Sequence, residues 1–211
     1  MTALAPMTVA TGGVMPDRLH RLILAVADVL AREEAALTAL DQAIGDGDHG
    51  LNMRRGAEAV RAAAGDLARL PLPDALAGIG RLLVLHVGGA SGPLYGTLLI
   101  ALGHDIAPNG SNLAPAMAAA VAAVMARGRS MPGQKTLLDV LVPVQQAIAA
   151  GGPALPGRLP AIARTAALLT APMRAARGRA SFLGARSIGH TDPGAHSAAL
   201  MIAALCAAWD A

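Results

Sequence analysis

Gly and Pro divide the chain into about eight apolar segments of helical length, with the polar residues gathered at the breaks. The longest segment is Asp17 to Ile44. Within it Leu19, Leu22, Ile23, Val26, Val29 and Leu30 recur at helical spacing and form one apolar stripe. Pro16 ahead of Asp17 serves as its start signal. The later segments are Asn52–Ala64, Pro73–His86, Pro93–Leu102, Leu113–Arg127, Lys135–Ala149 with a kink near Pro143, Pro160–Arg177 with Pro172 inside it, and Pro193–Trp209. Connections are mostly short, so neighbouring helices should pack antiparallel. The pattern predicts an all-α domain. Residues 1–15 read as a disordered tail, leaving 16–211 as the folded unit.

Composition supports this reading. Ala and Leu dominate, both strong helix formers, whereas the chain holds one Trp, one Tyr and one Phe. Helices this poor in large side chains can approach closely. The longest apolar run, Ala114 to Ala126, is broken by Pro115 and is too short to span a bilayer. The first residues lack the basic and apolar regions of a signal peptide. A single cysteine, Cys206, leaves no disulfide framework and no thiolate metal site, which fits a reducing cytoplasm. The net charge of +3 comes mostly from scattered Arg, with no basic run interleaved with aromatics. Nucleic acid is therefore not an expected partner, and neither is a membrane.

The breaks carry the chemistry. Four are rich in Gly and polar residues: Gly45–Asn52, Gly88–Gly92, Gly128–Thr136 and Gly178–Gly194. All four could meet at one end of a helical bundle. The first is the most informative. Asp41, Asp46 and Asp48 lie within eight residues, and carboxylates packed this closely repel one another unless a cation sits between them. On a continuous helix, positions i and i+5 point about 140° apart, so convergence requires the chain to leave the helix, which Gly45 and Gly47 permit. Oxygen donors without sulfur suit Mg²⁺ or Ca²⁺. An EF-hand is excluded, because Gly50 stands where a ligand belongs and no Glu closes the loop. The competing reading is a solvated turn in which Asp48 caps the next helix.

The other breaks are less specific. Gly88-Gly89-Ala90-Ser91-Gly92-Pro93 ends at a helix start and could cradle an anion on its backbone N–H groups, or simply allow close packing. It is no Walker loop, since no Gly-Lys-Thr follows. Lys135 and Thr136 could bind phosphate or cap a helix. Arg179, in a Gly-flanked loop, is a candidate for a phosphate or a transition-state charge. Asp192 is placed to N-cap the last helix, with Pro193 at its first position. His86, His104 and His196 read as ordinary helix residues.

Taken together, Ala43-Ile44-Gly45-Asp46-Gly47-Asp48-His49-Gly50-Leu51-Asn52-Met53, Gly88-Gly89-Ala90-Ser91-Gly92-Pro93-Leu94-Tyr95-Gly96, Gly178-Arg179-Ala180-Ser181 and Ser187-Ile188-Gly189-His190-Thr191-Asp192-Pro193-Gly194-Ala195 resemble the L, or nucleotide-binding, subunit family of dihydroxyacetone kinases. The resemblance covers nearly the whole chain after the tail. It implies an antiparallel, up-and-down barrel of eight helices with a nucleotide site built from loops at one end. Asp41, Asp46 and Asp48 match carboxylates that hold two Mg²⁺ ions on the nucleotide phosphates. His49, Gly50, Leu51 and Asn52 match a nucleotide-contacting loop, and Ala90 and Ser91 match phosphate-side contacts. Gly128 and Leu137 match positions near the nucleotide, where the family usually has Met in place of Leu137. Arg179, Asp192, Pro193 and Gly194 match further nucleotide contacts, and Arg179 is the expected catalytic group. Gln134 departs from a family Asp.

The resemblance also implies partners. A separate K subunit holds dihydroxyacetone covalently on a His, and this chain would present the phosphoryl donor. In one branch of the family ADP stays bound and is rephosphorylated by a phosphotransferase-system protein. In the other, exchangeable ATP is the donor, including for four-carbon ketoses. A homodimer is compatible with either. A nucleotide-loaded module that regulates a transcription factor is a third reading. A fatty-acid kinase domain is a fourth, although those usually carry Thr at the position of His49.

Overall fold

A computed structural model describes residues 16–152 and 155–209. The expected tail, 1–15, lies outside the described residues. The described residues form ten α-helices and no strand. They are α1 (Pro16–Arg32), α2 (Glu34–Ile44), α3 (His49–Ala62), α4 (Ala64–Leu67), α5 (Leu72–His86), α6 (Ser91–Asp105), α7 (Leu113–Gly128), α8 (Leu138–Ala150), α9 (Leu155–Leu168) and α10 (Pro193–Trp209), with a 3-10 segment at Arg179–Ser187.

The helix contacts close a ring. α1 packs on α3, α3 on α5, and each later helix on the next through α10, which returns to α1. This is the expected eight-helix barrel, with α2 prolonging α1 beyond a break at Glu33 and α4 a single turn after α3. Backbone bonds run through the break, from Glu33 N–H to Val29 O at 2.9 Å and from Leu37 N–H to Glu33 O at 2.9 Å. The core fills the ring interior: Leu30, Leu37, Met53, Tyr95, Val121, Val124, Leu138, Leu141, Ala163 and Ala198 come from every wall but α5, which adds the half-buried Leu83. A smaller cluster around Leu19, Ile23, Val60, Leu67 and Ala75 joins α1 to α3, α4 and α5. The predicted stripe on α1 faces inward, with Leu19, Leu22, Ile23, Val29 and Leu30 buried. Close approach shows where α5 meets α6: a Cβ on Gly80 would lie 2.8 Å from Gly96 O, and one on Gly96 equally near Gly80 O. Among the described residues no helix is long and apolar enough to cross a membrane.

In an up-and-down ring, alternate connections share an end. Those after α2, α5, α7 and α9 are the four Gly-rich breaks, so all four gather at one mouth.

Helix ends differ from the sequence expectation where side chains intervene. The acidic break is shorter than expected, because α3 already begins at His49. Gly50 is helical, and it is Gly for room: a Cβ there would sit 2.1 Å from Glu34 O and 2.3 Å from Thr38 Oγ1. α6 begins at Ser91 and runs on to Asp105, beyond the predicted Pro93–Leu102. α8 begins at Leu138 rather than Lys135, because Lys135 has φ +62°, which no helix interior accepts. α9 starts earlier than predicted, at Leu155, and stops at Leu168 instead of running to Arg177. Tighter bonds, Thr170 N–H to Ala167 O and Ala171 N–H to Leu168 O, close its last turn, and Pro172 then removes the next donor.

Candidate functional site

One cavity opens at this mouth. Its lining includes Asp41, Asp46, Asp48, His49, Asn52, Ala90, Ser91, Lys135, Leu137, Arg179, Asp192, Pro193 and Gly194, so all four breaks contribute.

The three carboxylates converge as the chain leaves α2. Each offers an oxygen, and these oxygens lie within 4.8 Å of one another. Asp41 is buried at the end of α2, and its Oδ2 accepts the N–H groups of Asp48 at 2.9 Å and His49 at 3.2 Å. That one acceptor folds the turn back onto its own helix. Gly45 allows it, since a Cβ there would fall 2.1 Å from Asp41 Oδ1. The side chain of Asp48 makes no capping bond to α3, contrary to the solvated-cap alternative. The donor set is hard oxygen throughout, on a fixed turn, and fits a divalent cation such as Mg²⁺.

Arg179 reaches the same group. Its Nη1 lies 3.1 Å from Asp46 Oδ2. A small apolar cluster of Ile44, Ala175, Ala180 and Leu183 packs the 3-10 segment against the end of α2 and sets this approach.

Behind the carboxylates lies a buried polar chain. His49 bridges two serines, with Ser197 Oγ 3.0 Å from Nε2 and Ser91 Oγ 3.2 Å from Nδ1. Ser197 Oγ also lies 2.8 Å from Tyr95 Oη, which donates to Gly194 O at 3.0 Å. Burial lowers the His49 pKa, opposed by the charges of Asp41 and Asp48, and burial raises the Tyr95 pKa. The network ties α3, α6 and α10 together under the cavity floor. Ser197 and Tyr95 were not singled out in the sequence; only a polar residue within the Ala-rich start of α10 hinted at Ser197.

Asp192 caps α10, accepting Ala195 N–H at 2.7 Å, while its own N–H donates to Thr170 Oγ1 at 2.9 Å. Burial pushes its carboxyl up to about 7 despite that capping bond and the nearby Lys135 charge. The loop before α8 is organised by Asp139, a residue with no prior signal except its place in the first turn. Asp139 accepts Gly133 N–H through Oδ1 and Thr136 N–H at 2.7 Å through Oδ2. Gln134 Oε1 accepts Met131 N–H at 3.0 Å, a bond within its own loop, and Gln134 does not line the cavity. Of the residues matched to nucleotide contacts, Gly50, Leu51 and Gly128 lie outside the lining. Gly50 faces α2, Leu51 is 42% exposed on the outer face of α3, and a Cβ on Gly128 would meet Ser130 Oγ at 2.8 Å. Lys135 and Thr136 do not start the helix. Lys135 turns inward, and its ammonium is committed to backbone carbonyls.

Comparison with known proteins gives one consistent picture. The family described as the DAK2 domain matches residues 43–207. The chain is 39% identical over 172 residues to the ADP-binding subunit DhaL of PEP-dependent dihydroxyacetone kinase 1 from Listeria innocua, covering 80% of this chain and 84% of that one. It is 40% identical over 191 residues to the corresponding subunit from Escherichia coli, covering 86% and 91%. In structure it resembles the dihydroxyacetone kinase from C. freundii solved with AMP-PNP and Mg²⁺, with a TM-score of 0.74 at 24% identity. That match covers 98% of this chain but 36% of the larger enzyme, and it speaks to the fold alone.

Proposed function

Since the chain belongs to the DAK2 domain family, we propose that it is the nucleotide- and Mg²⁺-binding subunit of a dihydroxyacetone kinase, with residues 16–211 as its nucleotide-binding domain. The convergence of Asp41, Asp46 and Asp48 beside Arg179, at a mouth built by four loops, carries this reading.

Phosphoryl transfer demands positioning and charge neutralisation rather than covalent chemistry from the protein. Asp41, Asp46 and Asp48 would hold two Mg²⁺ ions. Bound there, the ions would supply positive charge to the phosphate oxygens. Ala90 and Ser91 begin α6, where backbone N–H groups and the positive helix end favour an anion. Arg179, 69% exposed, can swing from Asp46 toward a transferring group. His49, held at both ring nitrogens, fixes Ser91 in the cavity wall. Leu137 and Leu94 supply apolar lining for a base or ribose.

The acceptor would be dihydroxyacetone held covalently on a separate K subunit, so the chain acts only with that partner, in the cytoplasm. The names of relatives, PEP-dependent in two and PTS-dependent in a third, favour the branch in which bound ADP is recharged by the phosphotransferase system. Gel filtration of the purified chain after loading with ADP and Mg²⁺ tests that branch. Stoichiometric ADP should elute with the protein; prompt loss of nucleotide would favour exchangeable ATP and a triose or tetrose kinase. A K subunit supplied with dihydroxyacetone should then yield its phosphate only when the loaded chain is added.

A further inference from the structure

The least expected group at this end of the barrel is Lys135. It is 1% exposed, among the largest fully buried side chains of the described residues, and it sits at φ +62°. Five backbone carbonyl oxygens lie within reach of its three N–H donors: Thr170 O at 3.0 Å, Ala171 O at 3.4 Å, Met173 O at 3.2 Å, Ser187 O at 2.8 Å and His190 O at 2.5 Å from Nζ. Carbonyls only accept, so this cage fits a positive charge and offers nothing to a neutral group that does not donate. Burial works against the charge, and the ring of oxygens together with Asp192 works for it. A ring of backbone carbonyls around one cation is the arrangement by which proteins bind K⁺ or ammonium.

The five carbonyls are not scattered. Thr170, Ala171 and Met173 belong to the limb leaving α9, and Ser187 and His190 to the limb entering α10. The intervening 3-10 segment carries Arg179. Other ties join the limbs, including Gly189 N–H to Ala171 O at 2.8 Å, Ala175 N–H to Ser187 Oγ at 2.9 Å and Asp192 N–H to Thr170 Oγ1 at 2.9 Å. Lys135 reaches both limbs from a third loop, and the hydrogen-bond partners of its ammonium are carbonyls.

We propose that Lys135 is a built-in monovalent cation, a positioning residue whose ammonium occupies a carbonyl cage and thereby orders the 169–192 loop that carries Arg179 and Asp192. The ammonium is then unavailable to a phosphate, although Lys135 lines the cavity. The ordering of the loop stands on the geometry alone; its consequence for nucleotide binding rests on the function proposed above.

Amide exchange of the full nucleotide-free chain tests the ordering, and nucleotide titration tests the consequence. Lys135→Gly removes the side chain while tolerating the positive φ. Exchange across 169–192 should quicken about tenfold or more, with the barrel helices changed far less. Added n-butylammonium, which restores the missing chain and charge, should return the protection, whereas n-butanol should not. Lys135→Met, which keeps the apolar stem, should show the same loss without rescue. Unchanged loop exchange in both variants would overturn the proposal. So would collapse of the whole barrel that butylammonium does not repair, because the lysine would then serve the core and not the loop. If loop protection is unchanged while Mg²⁺-ADP affinity falls, Lys135 acts on phosphate directly and the cage is incidental. If the wild-type chain binds no nucleotide, the function is wrong, yet the exchange result still decides the cage.

Discussion

Arg179 Nη1 lies 3.1 Å from Asp46 Oδ2, so an arginine beside the carboxylates is paired with a member of that group. Under the proposed function, a cation held by the group would compete with Arg179 for Asp46 and leave the guanidinium free to turn toward a phosphate. The pair is well exposed, and such pairs contribute no more than about 1 kcal/mol to stability. Arg179→Gln should therefore leave urea denaturation nearly unchanged. Mg²⁺ titration without nucleotide should tighten a few-fold, and phosphoryl transfer with a K subunit should fall by about a hundredfold or more. Weaker Mg²⁺ binding in the variant would argue that Arg179 supports the carboxylates instead of competing with them.

Besides its proposed place in the cation site, Asp41 holds the turn together. It is buried, and it holds the Asp48 and His49 N–H groups. Asp41→Ala leaves both donors without that acceptor and should cost about 1–3 kcal/mol in chemical denaturation. Asp46→Ala should change stability far less while abolishing the same Mg²⁺ response. Equal stability losses in the two variants would contradict the structural role given to Asp41.

Gly50 sets the spacing of α2 and α3. A Cβ there would meet Glu34 O at 2.1 Å, and backbone cannot yield as a side chain does. Gly50→Ala should destabilise by about 1–3 kcal/mol through overpacking. It should also separate Asp41 from the Asp48 turn and weaken Mg²⁺-dependent nucleotide binding, although Gly50 lies outside the cavity lining. Calorimetric melting and titration read the two effects separately.

Asp192 gives a pH dependence of definite sign. Its carboxyl is raised from 3.8 to about 7 by burial, so the folded state holds a proton that the unfolded state has lost. Its contribution to stability is present at low pH and declines as pH rises from about 4 to about 7. Asn retains the capping oxygen without the charge. Denaturation of the nucleotide-free chain at several pH values should show the difference between Asp192→Asn and wild type moving in favour of the variant as pH rises. Taking the difference removes the opposing contributions of His49 and His196, whose pKa values burial lowers.

The all-α class and antiparallel neighbours were readable because Gly and Pro mark breaks locally between eight apolar segments, whereas closure into a barrel was implied only by the family resemblance. Convergence of Asp41, Asp46 and Asp48 was readable for the same reason: all three belong to one turn. What the pattern could not convey was which side chains join across long separations. His49 meets Ser197 from 148 residues away, and Lys135 meets the His190 carbonyl from 55. Helix ends erred where such contacts decide them. Lys135 was read as a helix start, yet it stands at φ +62° with its ammonium among the carbonyls. Gly50 looked like a flexible loop residue, whereas it is helical and small for packing. Gln134, which departs from a family Asp, bonds to Met131 N–H within its own loop and lies outside the cavity lining.

The central claim is that three carboxylates at this mouth bind a nucleotide through Mg²⁺. Calorimetric titration of ADP into the nucleotide-stripped chain, with Mg²⁺ and with EDTA, for wild type and Asp46→Asn, tests it most directly. The account predicts one site per chain with Mg²⁺, and an affinity at least about tenfold weaker either without the ion or in the variant. Equal ADP affinity in all four titrations, or none in any, would contradict it.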